Sequence, residues 1–135
     1  MALAGDRKTI SREGATLVLP VAEAAKIFAG SLVAVDANGY ATPGAVATTL
    51  KGVGRAEQQA DNTLGADGDI TVEVRKGVYL FANSADTDEI TRAQIGSNCY
   101  IVDDETVAKT DATGTRSVAG VVFDVDADGV WVKFN

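Results

Sequence analysis

The chain has 135 residues, 19 of them acidic and 12 basic, which gives a formal net charge of −7 with no histidine and one cysteine. This length predicts one domain with a substantial core, and the acidic balance argues against a nucleic-acid partner, because a phosphate backbone requires a basic face. No apolar run is long enough for a membrane span, and a lone cysteine rules out an internal disulfide framework.

The N-terminal segment, residues 1–14, is polar and shows little hydrophobic periodicity. It is predicted to be either a flexible tail or an arm that becomes ordered against a neighbouring subunit. Arg7, Lys8 and Arg12 are therefore candidate interface residues. Residues 15–135 are predicted to form a single β domain that begins with a strand at residues 15–19.

Residues 21–29 fit two different structures. Pro20 before the segment, several alanines within it and Gly30 after it match the start and stop signals of a short helix. The stretch around Ile27 fits an extended strand equally well. Both alternatives stay open at this point.

A plan of strand, acidic turn and strand recurs in residues 30–41, 96–108 and 120–132. Asn38 and Gly39 form a strong hairpin signal, because both residue types tolerate positive φ. The spacing between the copies is uneven, so the pattern predicts three separate hairpins and not a solenoid of fixed period.

The most regular alternation lies in residues 70–82. Before Gly77, isoleucine and valine alternate with polar residues, which predicts a strand with one buried face. After Gly77 the alternation resumes, with Tyr79 and Phe81 on the opposite face. A glycine inside a strand pattern usually marks a bend or bulge, so one long, bent strand is expected here.

The rest of the chain adds further short elements. Residues 50–56 are predicted to be a strand, and residues 89–95 to contain one helical turn with Thr91 as its cap and Gly96 as its stop. The total is about eight to ten short strands with at most one or two short helical turns. The predicted fold class is all-β, a compact sandwich or barrel.

The residue types offer little for catalysis. Without histidine the chain has no Ser-His-Asp or Cys-His arrangement, and it has no phosphate-binding loop. Cys99 alternates with apolar residues, so it is interpreted as a small core residue and not as a nucleophile. We therefore expect neither an enzyme nor a cofactor.

One acidic motif resembles the opening of a calcium-binding loop. Asp124, Asp126 and Asp128 precede a glycine in the pattern D-x-D-x-D-G, but the twelfth position is Asn135 instead of a bidentate glutamate. A hairpin turn is the favoured interpretation. The three aspartates remain weak candidates for a metal site.

Eight motifs along the chain carry a family resemblance: AGSLVAVDANGYA (29–41), GVG (52–54), DN (61–62), GADGD (65–69), VEVRKGV (72–78), GSNCYIVDD (96–104), AGVV (119–122) and DADGVWV (126–132). In this order they resemble the head decoration, or cement, proteins of tailed phages and prophages, over residues 15–135. The resemblance implies a β-rich fold, self-association and attachment to a capsid lattice. It carries over no catalytic residues, and it implies that residues 24–29 are extended.

The expected partners are then the major capsid protein and further copies of this chain, as a dimer or trimer on the outer surface of a virion, after synthesis in the cytoplasm of the host bacterium. Tyr40, Tyr79, Phe81 and Trp131 are candidate interface anchors, since aromatic residues dominate interface hot spots; each also suits a core position.

Two alternative functions remain. One is a carbohydrate- or metal-binding β module of a phage tail or adhesin, which predicts an exposed aromatic platform or calcium-dependent melting. The other is a different non-enzymatic structural β domain.

Overall fold

The computed structural model describes residues 1–135 and consists mainly of short β-strands. The strands are β1 (Thr16–Pro20), β2 (Lys26–Ile27), β3 (Leu32–Val35), β4 (Ala41–Pro43), β5 (Lys51–Ala56), β6 (Ala60–Asp61), β7 (Thr71–Arg75), β8 (Gly77–Asn83), β9 (Asn98–Ile101), β10 (Thr106–Ala108), β11 (Val118–Asp126) and β12 (Gly129–Phe134). Two 3-10 turns, Asp86–Asp88 and Arg92–Gln94, are the only helical elements, and neither could cross a membrane. The all-β fold class is confirmed. Twelve strands exceed the expected number because β2 and β6 have only two residues each.

The first half of the chain forms a five-stranded antiparallel sheet in the order β1-β7-β5-β3-β4. Its two edges come together after β1, where Val21 bridges Ala41 of β4 and the Ala22 N–H donates to the Ala41 carbonyl at 2.8 Å. The sheet is therefore rolled into a nearly closed barrel, and the short pair β2–β6 lies beside it.

The second half forms a closed five-stranded barrel in the order β10-β8-β12-β11-β9. Its closure depends on a parallel pairing between β8 and β10, in which Ala82 lies opposite Thr106. The other pairings are antiparallel. The three predicted hairpins are confirmed as β3–β4, β9–β10 and β11–β12.

Strand β3 lies between two hydrophobic cores and contributes side chains to both. Val33 packs into a cluster of 8 buried residues inside the rolled sheet. Leu32 and Ala34 pack into a cluster of 12 buried residues that fills the barrel. Successive strand residues point to opposite faces, so a strand between two cores must be apolar at every position. This explains the unbroken apolar sequence of β3.

The predicted long strand around Gly77 is two strands in different sheets. Lys76 separates β7 in the rolled sheet from β8 in the barrel, and Gly77 has a φ of 149°. The bend is where it was predicted, but it transfers the chain from one sheet to the other. In β8 the core-facing residue is Phe81, which is 5% exposed, whereas Leu80 is 40% exposed.

Residues 21–29 are not helical. The segment contains the Val21 bridge, a turn with Ala24 at a φ of 58°, and β2. Ile27 is fully buried, and Lys26 pairs with Asp61 of β6. Burial of this isoleucine and backbone pairing outweigh the helix propensity of the alanines, so the extended alternative is the one present.

The helical turn predicted in residues 89–95 is confirmed as the 3-10 turn Arg92–Gln94. The Thr91 hydroxyl accepts a hydrogen bond from the Ala93 N–H, and the Gln94 Oε1 accepts one from the Thr91 N–H at 2.7 Å. This reciprocal arrangement is a capping box. Gly96 follows the turn with a φ of 90°, as expected of a residue that ends a helix.

Candidate interaction surfaces

The N-terminal arm, residues 1–14, lies outside both barrels. All of its residues are exposed, and none belongs to a strand or helix. Leu3 is 73% exposed and Ile10 is 90% exposed. Arg7, Lys8 and Arg12 are also exposed, and they give the arm a basic character although the chain as a whole is acidic. The arm therefore presents uncovered apolar and cationic side chains.

The root of the arm is fixed to the body where the two barrels meet. The Glu13 carboxylate accepts hydrogen bonds from the N–H groups of Ala15 and Thr16. The Ala15 carbonyl accepts one from the Lys76 N–H at 2.7 Å. Since Lys76 separates β7 from β8, the arm leaves the body two residues from Val78 at the start of the barrel's strand β8.

The outer edge of β1 offers little to a pairing strand. The Ala15 carbonyl accepts a hydrogen bond from the Lys76 N–H, and the Val21 N–H donates to the Ile70 carbonyl. In the register between β1 and β7, the backbone groups of the alternate residues Thr16, Val18 and Pro20 therefore point outward. The Thr16 N–H is taken by Glu13, and proline has no N–H. Only Val18, 65% exposed, presents a free donor there. Such blunted edges oppose uncontrolled strand addition.

Tyr79 and Phe81 both make contacts within the folded domain. The Arg55 guanidinium lies 4.2 Å from the centre of the Tyr79 ring, a cation–π geometry, and the Tyr79 hydroxyl donates to the Lys76 carbonyl at 3.2 Å. The Phe81 ring lies 6.0 Å from that of Phe134 in the barrel core. Phe81 is therefore a core residue, which is the second of its two predicted roles, and its ring is not accessible to a partner in this structure.

Tyr40 lies at the first hairpin turn, between β3 and β4 of the rolled sheet. The Asp36 Oδ1 accepts hydrogen bonds from the N–H groups of Asn38 at 2.9 Å and of Tyr40 at 3.0 Å. Of the Asn38–Gly39 pair, only Gly39 has a positive φ, at 87°. The turn is confirmed, but it needs the left-handed conformation at glycine alone.

A groove on the outer face of the barrel, the Trp131 groove, has a volume of about 450 Å³. It is lined by Val78, Phe123, Asp124, Asp126 and Trp131. Trp131 of β12 lies in register between Leu80 of β8 and Asp124 of β11. Phe123 is 56% exposed, because a bulge between Val122 and Asp124 turns its ring outward. The groove therefore combines exposed aromatic surface with carboxylates.

Asp126 orients the tryptophan ring in this groove. Its Oδ2 accepts a hydrogen bond from the Trp131 Nε1–H at 2.8 Å, and its Oδ1 accepts one from the Asp128 N–H at 2.8 Å. These two hydrogen bonds lower the pKa of Asp126 below its usual value, and the bond from Trp131 has the larger effect. The Asp124 Oδ1 accepts from the Val125 N–H at 2.8 Å.

Asp124, Asp126 and Asp128 do not form a metal-binding cluster. No group of three or more His, Cys, Asp or Glu side chains is arranged to hold a metal ion. The carboxylate of Asp126 is occupied by the hydrogen bonds that close the β11–β12 turn, and Asp128 takes part through its backbone. The hairpin interpretation explains this motif, and the structure gives the weak metal candidates no support.

A second, wider cleft of about 680 Å³ runs between β5 and β11. Arg116, one of its lining residues, forms an ion pair within the chain. Its Nη1 lies 3.2 Å from the Asp88 carboxylate and donates a hydrogen bond to the Thr110 carbonyl at 3.1 Å. Hydrogen bonds from the Thr110 hydroxyl and from Arg116 lower the pKa of Asp88, and the one from Thr110 has the larger effect. These contacts tie the loop after β10 to the 3-10 turn Asp86–Asp88.

Cys99 is fully buried beside this cleft, and its thiol donates to the Gly120 carbonyl at 3.6 Å. Burial raises the pKa of Cys99 to about 11, since an apolar environment disfavours the charged thiolate. Its interpretation as a core residue is confirmed.

The candidate interface residues thus fall into separate places. Arg7, Lys8 and Arg12 share the arm, and Trp131 lies in the groove. Sequence reasoning missed Phe123, whose position depends on the bulge.

Comparison of the chain with family models, with curated proteins and with solved structures gives no significant match.

Proposed function

We propose that this chain is a structural protein of the head decoration type, which binds across the subunits of a phage capsid and stabilises the shell. The family resemblance of the sequence suggests this role. The observation that supports it best is the N-terminal arm, with Leu3 and Ile10 uncovered beside a compact β body. Burying one such side chain against a neighbour yields about 1.5–3 kcal/mol, so the arm gains free energy by assembly.

The proposed partners are the major capsid protein and other copies of this chain, on the outer surface of a virion. The chain is synthesised in the cytoplasm of the host bacterium and joins the shell afterwards. A specific contact buries about 800 Å² on each partner. Because a capsid repeats the same site many times, several modest contacts held together act as one strong attachment.

The body suits a protein that is present in many copies at high local density. In a closed barrel each strand has two neighbours, so no edge is left to pair with another molecule. The edge of β1 is blunted by Pro20 and by the Glu13 carboxylate on the Thr16 N–H. Contacts between molecules are thereby left to the arm and to side chains on the surface.

The test is co-sedimentation of the full chain with purified heads that lack it, together with a mass measurement in solution. We expect saturable binding and greater resistance of the heads to heat. A chain without residues 1–14 should bind more weakly, while its melting temperature stays within a few degrees of the full chain, because the arm is fully exposed and is hydrogen-bonded to the body through Glu13. A monomer that never sediments with heads would refute the proposal.

One observation favours a second candidate function, the carbohydrate-binding module. Phe123 and Trp131 offer an aromatic surface next to Asp124, and sugars commonly bind by stacking on aromatic rings with hydrogen bonds to carboxylates. Trp131 is the only tryptophan, so its fluorescence reports directly on this surface. Saturable quenching by oligosaccharides of the host envelope, abolished by Phe123→Ala, would favour this candidate over the decoration role.

A further inference from the structure

We propose that the Trp131 groove of one copy receives residues 7–12 from the N-terminal arm of a second copy, so that the arms link copies of this chain. The inference specifies the self-association in the proposed function, and its biological role rests on that function. It follows from two surfaces that lie uncovered on the same chain.

The groove has an apolar floor and acidic walls. Val78, Phe123 and Trp131 form the apolar lining, and Phe123 is 56% exposed. Leu80, which is 40% exposed, lies next to the groove in register with Trp131. Asp124 and Asp126 are the only charged side chains that line it. Lys133 lies outside it at the opposite end, in register with Val78. The groove therefore fits an apolar side chain flanked by cations, with the cations toward the two aspartates.

The arm carries such a sequence. Ile10 is 90% exposed, and Lys8 and Arg12 stand two residues before and after it. Alternate residues of an extended segment project to the same side, so an extended arm presents cation, isoleucine and cation along one face. No acidic residue lies between Arg7 and Arg12. The charges of arm and groove are complementary.

A second copy is the partner because the arm leaves the groove of its own chain uncovered. Its root at Ala15 is bonded to Lys76, two residues before Val78 of the groove. Every residue of the arm is nevertheless exposed, so the arm does not cover the groove of its own chain. In a two-fold pair each copy offers the same arm and the same groove, so the two arms can exchange reciprocally.

The test uses the fluorescence of Trp131, the single tryptophan. A peptide of residues 1–14 is titrated into the full chain carrying Ile10→Asp, whose own arms no longer compete. We expect a saturable blue shift of the emission. The peptide with Ile10→Asp should bind at least about tenfold more weakly, and so should the wild-type peptide tested on Phe123→Ala. The peptide with Leu3→Asp, outside the docking segment, should bind as the wild type does.

Dilution of the wild-type chain should shift the emission to the red as its mass falls to that of a monomer. The proposal is overturned if the peptide causes no shift, or if the wild-type emission equals that of the peptide-bound state at every dilution, since the arm then docks on its own body. Co-sedimentation separates this result from the proposed function. Failure of the wild-type chain to bind heads would refute the decoration role alone, whereas Phe123→Ala should still bind heads and lose only self-association.

Discussion

At the scale of single residues, Asn62 shows how one buried side chain can organise irregular chain. Asn62 is 3% exposed, and its amide N–H group donates to the carbonyls of Ala22 and Ala66, each at 2.9 Å. Its backbone N–H donates to the Ala25 carbonyl at 2.8 Å. The loop after β6 and the segment before β2 are therefore held together by hydrogen bonds from one residue, which explains why neither needs regular structure.

Asn62→Ala should lower the free energy of unfolding by about 1–3 kcal/mol, because the carbonyls of Ala22 and Ala66 lose the donor that the buried Asn62 amide provides. Asn62→Asp should lower the free energy of unfolding further at neutral pH, since a negatively charged carboxylate would face those carbonyl oxygens. That variant should recover stability as the pH falls, because a protonated carboxyl group can donate a hydrogen bond. Urea unfolding at several pH values measures both effects. Asn98→Asp, at an exposed site, is the control, and equal losses at the two positions would contradict the argument.

Cys99 supports a prediction on reactivity and pH. Burial raises its pKa from 9.0 to about 11. The unfolded chain therefore loses the thiol proton near pH 9, whereas the folded chain keeps it until about pH 11. Stability contributed by this group is present below pH 9 and is lost as the pH rises through that window. Comparison with Cys99→Ala isolates the effect from other groups that titrate there.

A thiol-specific disulfide reagent provides the second measurement on Cys99. The native chain should resist labelling at pH 8, and urea should make the thiol react at the rate of a free cysteine. Fast labelling of the native chain would show that the thiol is accessible, contrary to its complete burial.

At the scale of elements, the contact between β5 and β11 depends on the absence of a side chain. A Cβ at Gly52 would overlap the carbonyl oxygen of Ala119 and lie 2.8 Å from its carbonyl carbon. Gly52→Ala should therefore destabilise the chain by about 1–3 kcal/mol or more, because backbone must move. Gly14→Ala is the matched control, since a Cβ there meets nothing within 4 Å. Thermal melting that is unchanged in both variants would show that the two barrels do not pack through this point.

The elements also show which features are predictable from sequence. The three hairpins and the capping box at Thr91 follow from local rules, since turn residues and caps act over a few positions. The bulge at Phe123 and the transfer of the chain between sheets at Lys76 do not. Both depend on which distant strands are neighbours, and a bulge reverses the face that simple alternation assigns. For this reason the groove was harder to predict than the fold class.

At the scale of the whole molecule, the two barrels share structure instead of being joined by a linker. Strand β3 contributes Val33 to one core and Leu32 to the other. The Leu32 N–H donates to the Asp104 carbonyl at 2.8 Å, which ties the sheet to the β9–β10 turn. Ser117 adds another connection, because its hydroxyl donates to the Ala47 carbonyl at 2.6 Å. Loss of either core would therefore expose apolar surface of the other.

This sharing predicts a single cooperative unfolding transition. Val72 is fully buried in the core of the rolled sheet, whereas Trp131 lies on the other barrel. Val72→Ala should lower the free energy of unfolding by about 2 kcal/mol. Its urea midpoint should shift equally by Trp131 fluorescence and by far-ultraviolet circular dichroism, since both probes follow one two-state transition. If tryptophan fluorescence kept the wild-type midpoint while circular dichroism shifted, the barrels would unfold independently and β3 would not couple them.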